Sequence, residues 1–224
     1  MAGAVQINQA VCEAILAASQ RHRASMIDFA RRLIQTPSLP GEERAIAELL
    51  ARELRTLAYD DVWTDRAGNV IGVLRGQGTG PTVQFNAHLD HVDIGDPALW
   101  PHPPYAAVIE GDTLFGRGAS DVKGAMAAQV YLAPVLREAG IQPGGDVYVV
   151  GVVLEEVGGY GSEFLAQTMP TDAAVLAEAT NNELRRGHRG RVFVKVSFTG
   201  VSAHASAPDR QSTRTTRSPA FCSG

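Results

Sequence analysis

The sequence predicts an α/β layered domain with a mixed, largely parallel central sheet, followed by the start of a smaller α+β domain. Two observations predict this fold. Helical periodicity and short apolar runs alternate along most of the 224 residues, a pattern typical of helices that cover the faces of a sheet. One run, DVYVVGVV at 146–153, is almost continuously apolar, which is typical of a strand buried on both faces.

Two helices are predicted at the start of the chain. Apolar residues recur at helical spacing from Ile7, and the pattern continues to Ile34, shortly before Pro37. A second amphipathic pattern covers residues 41–59. Its predicted first turn contains Glu42 and Glu43, whose negative charge complements the positive end of a helix dipole.

The remaining elements alternate in type. Strands are predicted at 62–64, 70–74, 82–88, 146–156 and 173–178, a hairpin at 107–115, and helices at 123–139 and 162–167. From residue 191 apolar and polar residues alternate, which indicates an antiparallel strand with one solvated face. We therefore predict the α/β domain at 1–187, the beginning of the second domain at 188–208 and an atypical tail at 209–224.

Composition excludes several classes of function. A net charge of −4 without a basic stripe gives no reason to expect nucleic acid as a partner. The two cysteines, Cys12 and Cys222, form neither a disulfide framework nor a zinc knuckle, which favours a reducing compartment. No apolar run reaches the roughly 18 residues of a membrane span, so we expect no membrane partner and a cytoplasmic protein.

Candidate metal ligands lie at the carboxyl ends of the predicted strands or just beyond them, and one lies in a glycine-rich loop before a helix. They are His88, Asp90, Asp121, Glu155, Glu156 and Glu178. Ligand sites in open α/β sheets form at the carboxyl ends of the strands. The sequence therefore predicts that these side chains meet at one edge of the sheet.

Each candidate also has an ordinary explanation. His88 and Asp90 are two residues apart in extended chain, which suits a metal-bound imidazole with an orienting carboxylate, but HLD also fits a surface loop. Asp121, in GRGASDVKGA, could simply cap the next helix. This loop lacks the Gly-Lys-Ser/Thr of a phosphate-binding loop, and Lys123 is interpreted as a solvated or supporting residue.

The pair Glu155–Glu156 ends a strongly apolar strand in LEEVGG. Two like charges beside a buried sheet edge are costly unless a cation or proton compensates them. One carboxylate could bind a metal while its neighbour takes a proton from water. A solvated pair remains an alternative, as does a turn-capping role for Glu178 in LAEAT.

The segments AHLDHV, GRGASDVKGA, LEEVGG and LAEAT, in this order, resemble the metallohydrolase family of acetylornithine deacetylase, succinyl-diaminopimelate desuccinylase, aminoacylase and glutamate carboxypeptidase. The resemblance covers about residues 25–208. One departure is His91, where the family usually has Thr or Val. We interpret His91 as a tolerated neighbour of the site, with a substrate contact as the alternative.

The resemblance implies a pair of zinc ions, with Co²⁺ or Mn²⁺ also suited to oxygen and imidazole ligands. Asp121 would bridge both ions, His88 and Glu178 would complete one site, and Glu156 would bind the second ion. The implied reaction is hydrolysis of an amide bond in an N-acyl amino acid or small peptide.

The resemblance also implies the catalytic roles. Glu155 would be the general base and Asp90 would orient His88. His204, in VSAHASAP, would help to stabilise the oxyanion from a lid domain that often mediates a homodimer in full-length members. The alternative for His204 is a surface histidine after an edge strand, and His188 is assigned to the domain junction.

The end of the chain departs from the family. Members continue for well over a hundred residues and supply a last histidine ligand there, so this chain, which ends at Gly224, is expected to be a truncated member with an incomplete second metal site. The tail lacks helical periodicity, which a reading-frame slip would explain. The main alternative function is therefore an inactive fragment that binds at most one metal ion; a non-catalytic dimerisation or regulatory relative is a third.

Overall fold

The computed structural model describes residues 8–187 and residue 190. Two helices begin the fold, α1 at Gln9–Ile34 and α2 at Arg44–Thr56. The side chain of Asn8 caps α1 by accepting the N–H of Ala10, which satisfies one of the free donors at a helix start. Both helices lie within the segments where helical periodicity predicts them.

Five strands form the central sheet, and two more form a separate hairpin. The central strands are β1 at Asp61–Thr64, β2 at Val70–Leu74, β3 at Val83–His88, β6 at Val147–Val152 and β7 at Ala173–Leu176; the hairpin contains β4 at Val108–Glu110 and β5 at Thr113–Phe115. The sheet order is β1-β2-β6-β3-β7. Because β2 alone runs antiparallel to its two neighbours, the other four strands share one direction. This confirms the mixed, largely parallel sheet.

Three further helices follow the hairpin: α3 at Gly124–Val130, α4 at Leu132–Glu138 and α5 at Tyr160–Thr168. The sequence predicts one helix over 123–139, but the structure interrupts it at Tyr131. The hydroxyl of Tyr131 donates a hydrogen bond to Glu53 of α2 at 2.9 Å. The apolar periodicity does not reveal this break, but Pro134 accounts for it, because proline has no N–H to donate to the carbonyl of Val130 and its ring clashes with that carbonyl in a continuous helix.

The larger core cluster lies between the sheet and the helices α1, α2 and α3, and a smaller cluster joins β2 and β6 to α5. Strand β6 is buried along almost its whole length, as expected for a strand covered on both faces. Gly151 of β6 allows a close approach of α2, because a Cβ atom there would lie 2.5 Å from the Cδ2 of Leu50. Helix α2 therefore packs directly against β6 next to its carboxyl end, where the loop after β6 begins.

The chain divides after Asn182, and all the helices and strands above belong to its first unit. Within the described residues, none of the helices is both long enough and apolar enough to cross a membrane. The predictions for residues 191–224, including the antiparallel strand, His204 and the tail, lie outside the described residues, as does His188.

Candidate active site

Three loops meet at the carboxyl edge of the central sheet. Strand β3 lies between β6 and β7 and runs parallel to both. His88, the last residue of β3, is in register with Val152, the last residue of β6. Beyond β7, the N–H of Ala177 still bonds to the carbonyl of Asn86 at 2.8 Å. Glu178 therefore follows directly at the same edge.

His88, Asp121 and Glu178 converge at this edge. Each offers one ligand atom, and these atoms all lie within 4.8 Å of one another. His88 is buried, whereas Asp121 and Glu178 are exposed, and the Nε2 of His88 lies 2.9 Å from an oxygen of Asp121. One imidazole and two carboxylates are a donor set that suits zinc, cobalt or manganese. The three residues therefore fit a divalent metal ion.

The imidazole of His88 is held in one orientation. Its Nδ1 lies 2.9 Å from the backbone oxygen of Asp90, and a carbonyl can only accept, so Nδ1 carries the proton. Nε2 is then the nitrogen that would bind a metal, in place of the proton that it holds against Asp121 in the metal-free protein. Burial disfavours the charged ring, but the acceptors of Asp90 and Asp121 outweigh it and raise the pKa of His88 to about 9.

The carboxylate of Asp90 is fully buried and faces the loop after β6. One oxygen accepts the backbone N–H of Glu155 at 3.1 Å, and the other accepts that of Glu156 at 3.0 Å. The carboxylate is 3.6 Å from the Nδ1 of His88, beyond hydrogen-bond distance. Burial opposes its ionisation, yet the contacts with His88 and the two N–H groups hold the pKa of Asp90 below its ordinary value. Asp90 thus links His88 to the glutamate pair.

The acidic side chains of the site repel one another. Burial, followed by the charge of Asp121, raises the pKa of Glu156. Partial desolvation also raises the pKa of Glu178, although the residue is exposed overall; His88 opposes this shift, while Asp121 and the glutamate pair add to it. A bound cation would relieve this repulsion. Glu156 itself is not among the three residues whose ligand atoms converge, so its role as a ligand stays a prediction.

Two residues beside the site have roles that the sequence did not define. Lys123 is fully buried and donates to the backbone oxygen of Thr36 at 2.9 Å. Burial lowers the pKa of Lys123 to about 7, although the charge of Asp90 opposes the shift. The solvated interpretation of Lys123 is therefore wrong, and the supporting one agrees with this contact. Its position in the sequence, directly after a glycine-rich loop, does not predict that it is buried.

His91 is also fully buried. Its Nε2 accepts the backbone N–H of Ser38 at 3.0 Å, and its Nδ1 donates to the carbonyl of Val92 at 2.8 Å. Both ring nitrogens are thus used within the protein. A substrate contact by His91 has no support in this arrangement, which instead joins the end of β3 to the connection between α1 and α2.

Comparison with known proteins agrees with this geometry. Residues 84–213 match the model of peptidase family M20/M25/M40, which is more than half of the chain. The chain belongs to this family. The match includes all six residues of the predicted edge site, so the resemblance inferred from the four motifs is confirmed.

Individual relatives of family M20/M25/M40 cover most of the chain. The uncharacterized protein YgeY of Escherichia coli is 32% identical over 209 residues, covering 88% of this chain and 49% of its own length. The N-formyl-4-amino-5-aminomethyl-2-methylpyrimidine deformylase of Bacillus subtilis is 31% identical, covering 74% of this chain and 41% of its own. The chain thus spans about half the length of these relatives or less.

The fold of the chain is also similar to that of solved structures. The crystal structure of human carnosine dipeptidase 1 superimposes with a TM-score of 0.64 at 21% identity, covering 74% of this chain and 41% of that one. At this identity the likeness shows the fold alone. It agrees with the α/β architecture and its largely parallel sheet.

Proposed function

We propose that this protein is a metal-dependent hydrolase that cleaves the amide bond of an N-acyl amino acid or small peptide. The observation that carries the proposal is the convergence of His88, Asp121 and Glu178, whose ligand atoms lie within 4.8 Å at the carboxyl edge of the sheet. The name of the deformylase relative is in keeping with hydrolysis of a carbon–nitrogen bond.

We assign zinc as the metal, with cobalt or manganese as substitutes. His88 and Glu178 would hold one ion, Glu156 a second, and Asp121 would bridge them. When bound, such ions lower the pKa of a water molecule and polarise a carbonyl oxygen. The donor types are consistent with this assignment, since imidazole and carboxylate suit all three metals.

Glu155 is the proposed general base. Its carboxylate takes a proton from the attacking water as the water oxygen bonds to the carbonyl carbon. The same carboxyl group then returns the proton to the amide nitrogen as the carbon–nitrogen bond breaks. The hydrogen bond from its backbone N–H to Asp90, at 3.1 Å, supports this role because it holds the main chain of Glu155 beside Asp90, whose backbone oxygen contacts His88. His204 is the proposed stabiliser of the oxyanion.

The proposal is tested by measuring zinc and cobalt content per chain on purified protein and assaying hydrolysis of N-acetyl amino acids with the same sample. Two ions with turnover are expected. Absence of metal after incubation with excess zinc would contradict the proposal, and so would metal-loaded protein without turnover on any N-acyl amino acid or dipeptide.

A second candidate function is a catalytically inactive chain that binds one metal ion. It is favoured by the finding that Glu156 is not in the converging group in the described part of the chain. One ion per chain, lost when His88 is replaced, together with no turnover, would support this candidate over the enzyme.

A further inference from the structure

The connection between α1 and α2, residues 35–43, contacts all three loops that carry Asp90, Asp121 and the pair Glu155–Glu156. Each contact is a hydrogen bond that involves a buried side chain. The inference drawn from them rests on the proposed function, because that proposal assigns the three loops to one site.

The first contact reaches the loop of Asp121. The ammonium of Lys123 donates to the carbonyl of Thr36 at 2.9 Å. Lys123 is fully buried and lies two residues after Asp121. The turn that presents Asp121 is therefore tied to the start of the connection.

The second contact reaches the segment after β3. The hydroxyl of Ser38 donates to the carbonyl of Leu89 at 2.7 Å, and its N–H donates to the Nε2 of His91 at 3.0 Å. The N–H of His91 in turn donates to the carbonyl of Ser38 at 3.0 Å. Leu89 and His91, the residues on either side of Asp90, are thus both hydrogen-bonded to Ser38.

The third contact reaches the loop after β6. The carboxylate of Glu43, a buried side chain, accepts the N–H of Leu154 at 3.1 Å. Leu154 has a φ of +57°, a left-handed conformation that a bulky residue rarely adopts without support from its surroundings. The next two N–H groups, of Glu155 and Glu156, bond to Asp90. Two buried carboxylates thus hold three consecutive backbone donors.

We infer that Glu43 is a positioning residue for the pair Glu155–Glu156. Its hydrogen bond holds Leu154 in the left-handed conformation that turns the next two N–H groups towards Asp90. Without this acceptor, Leu154 would relax to an ordinary conformation and the two glutamates would lose their fixed direction. Glu43 touches no candidate ligand itself in the described contacts, so its effect on the site passes through the backbone.

The test compares Glu43→Ala, which removes the acceptor, with Glu43→Gln, which keeps an oxygen at the same distance along the side chain. Glu42→Ala is the matched control because Glu42 is the exposed neighbour of Glu43. Hydrogen exchange of individual amides is measured on the full chain with a chelator present. This measurement requires neither metal nor substrate, so it is independent of the proposed function.

We expect Glu43→Ala to speed the exchange of the amides of residues 154–156 by about tenfold or more, while the amides of β6 keep their protection. Glu43→Gln should restore most of the protection, and Glu42→Ala should match the natural protein. Unchanged exchange at 154–156 would overturn the inference. So would a loss that spreads equally to β6, because that indicates general destabilisation.

Two further measurements complete the test. If Glu43→Ala does not fold, Glu43→Asp replaces it, since this shorter side chain keeps the charge but withdraws the acceptor from Leu154; the same loss confined to 154–156 is expected. With an active preparation, Glu43→Ala should lower kcat about tenfold with little change in KM, and Glu43→Gln should recover it. A change in KM alone would contradict a positioning role for the base.

Discussion

The carboxylate of Asp90 accepts the backbone N–H of Glu156 at 3.0 Å. This bond joins the end of β3 to the loop after β6 at a fully buried position. The other oxygen of Asp90 accepts the N–H of Glu155, and its backbone oxygen accepts from His88. Asp90 therefore aligns the imidazole and the glutamate pair at the same time.

Replacing Asp90 with Asn should destabilise the protein. The amide offers one acceptor oxygen where two N–H groups need acceptors, so one buried donor is left unpaired. We expect the free energy of unfolding to fall by about 2–3 kcal/mol, measured by urea denaturation of metal-free protein. Asp112→Asn, at an exposed turn, is the control and should change stability by less than about 0.5 kcal/mol. Equal stability of the two variants would contradict the assigned contacts.

Replacing Glu155 with Gln should abolish hydrolysis and leave metal content unchanged, because it removes the proposed base and none of the proposed ligands. General bases of this kind contribute roughly 10²- to 10⁴-fold to rate, so kcat should fall by that order. The control is Glu163→Gln on the exposed face of α5, which should keep full activity. A Glu155→Gln variant with normal turnover would show that another group accepts the proton.

Replacing His88 with Ala should remove the metal. The remaining two carboxylates of the converging group are both exposed and lack the nitrogen ligand that zinc favours. Zinc content after dialysis should fall to the background level of the buffer. His22→Ala is the control, because His22 on α1 pairs with Glu138 away from the candidate ligands. Stoichiometric zinc in His88→Ala would refute the proposed site.

The position of the site could be predicted because it depends on strand direction. Parallel strands bring their carboxyl ends to one edge, and the register of His88 with Val152 places two of the ligand loops there. The type of each candidate was readable from the residues that follow the apolar runs. His88 and Glu178 then come together because β7 lies beside β3 in the sheet.

The supporting contacts could not be predicted, since they join residues far apart in sequence. Asp90 bonds to N–H groups 65 and 66 positions away, and Glu43 to one 111 positions away. Every residue except proline carries the same backbone N–H, so the sequence does not show which of these groups a buried carboxylate accepts. For the same reason the sequence leaves Lys123 open as a solvated or a supporting residue, whereas the structure buries it and its ammonium donates to the carbonyl of Thr36.

The buried ring of His91 predicts a dependence of stability on pH. Burial lowers the pKa of His91; the charges of Lys123 and Arg117 add to this shift, while the carbonyl of Val92 and the charge of Asp90 oppose it. The folded protein thus favours the neutral ring, whose Nε2 accepts from Ser38. A free histidine titrates near pH 6.5, so the unfolded chain takes up the proton first as the pH falls. Stability is therefore complete above that value and declines below it, until the folded ring is protonated too.

Replacing His91 with Gln isolates this effect. Glutamine keeps an acceptor for the N–H of Ser38 but does not titrate. Unfolding free energies of metal-free protein are measured at about pH 7.5 and about pH 5.5, on either side of the free histidine pKa. The natural protein should lose more stability between these values than His91→Gln, whereas His22→Gln should follow the natural protein. If His91→Gln loses as much stability on acidification as the natural protein, the folded ring does not resist protonation and its hydrogen bond to Ser38 is not what holds the loop.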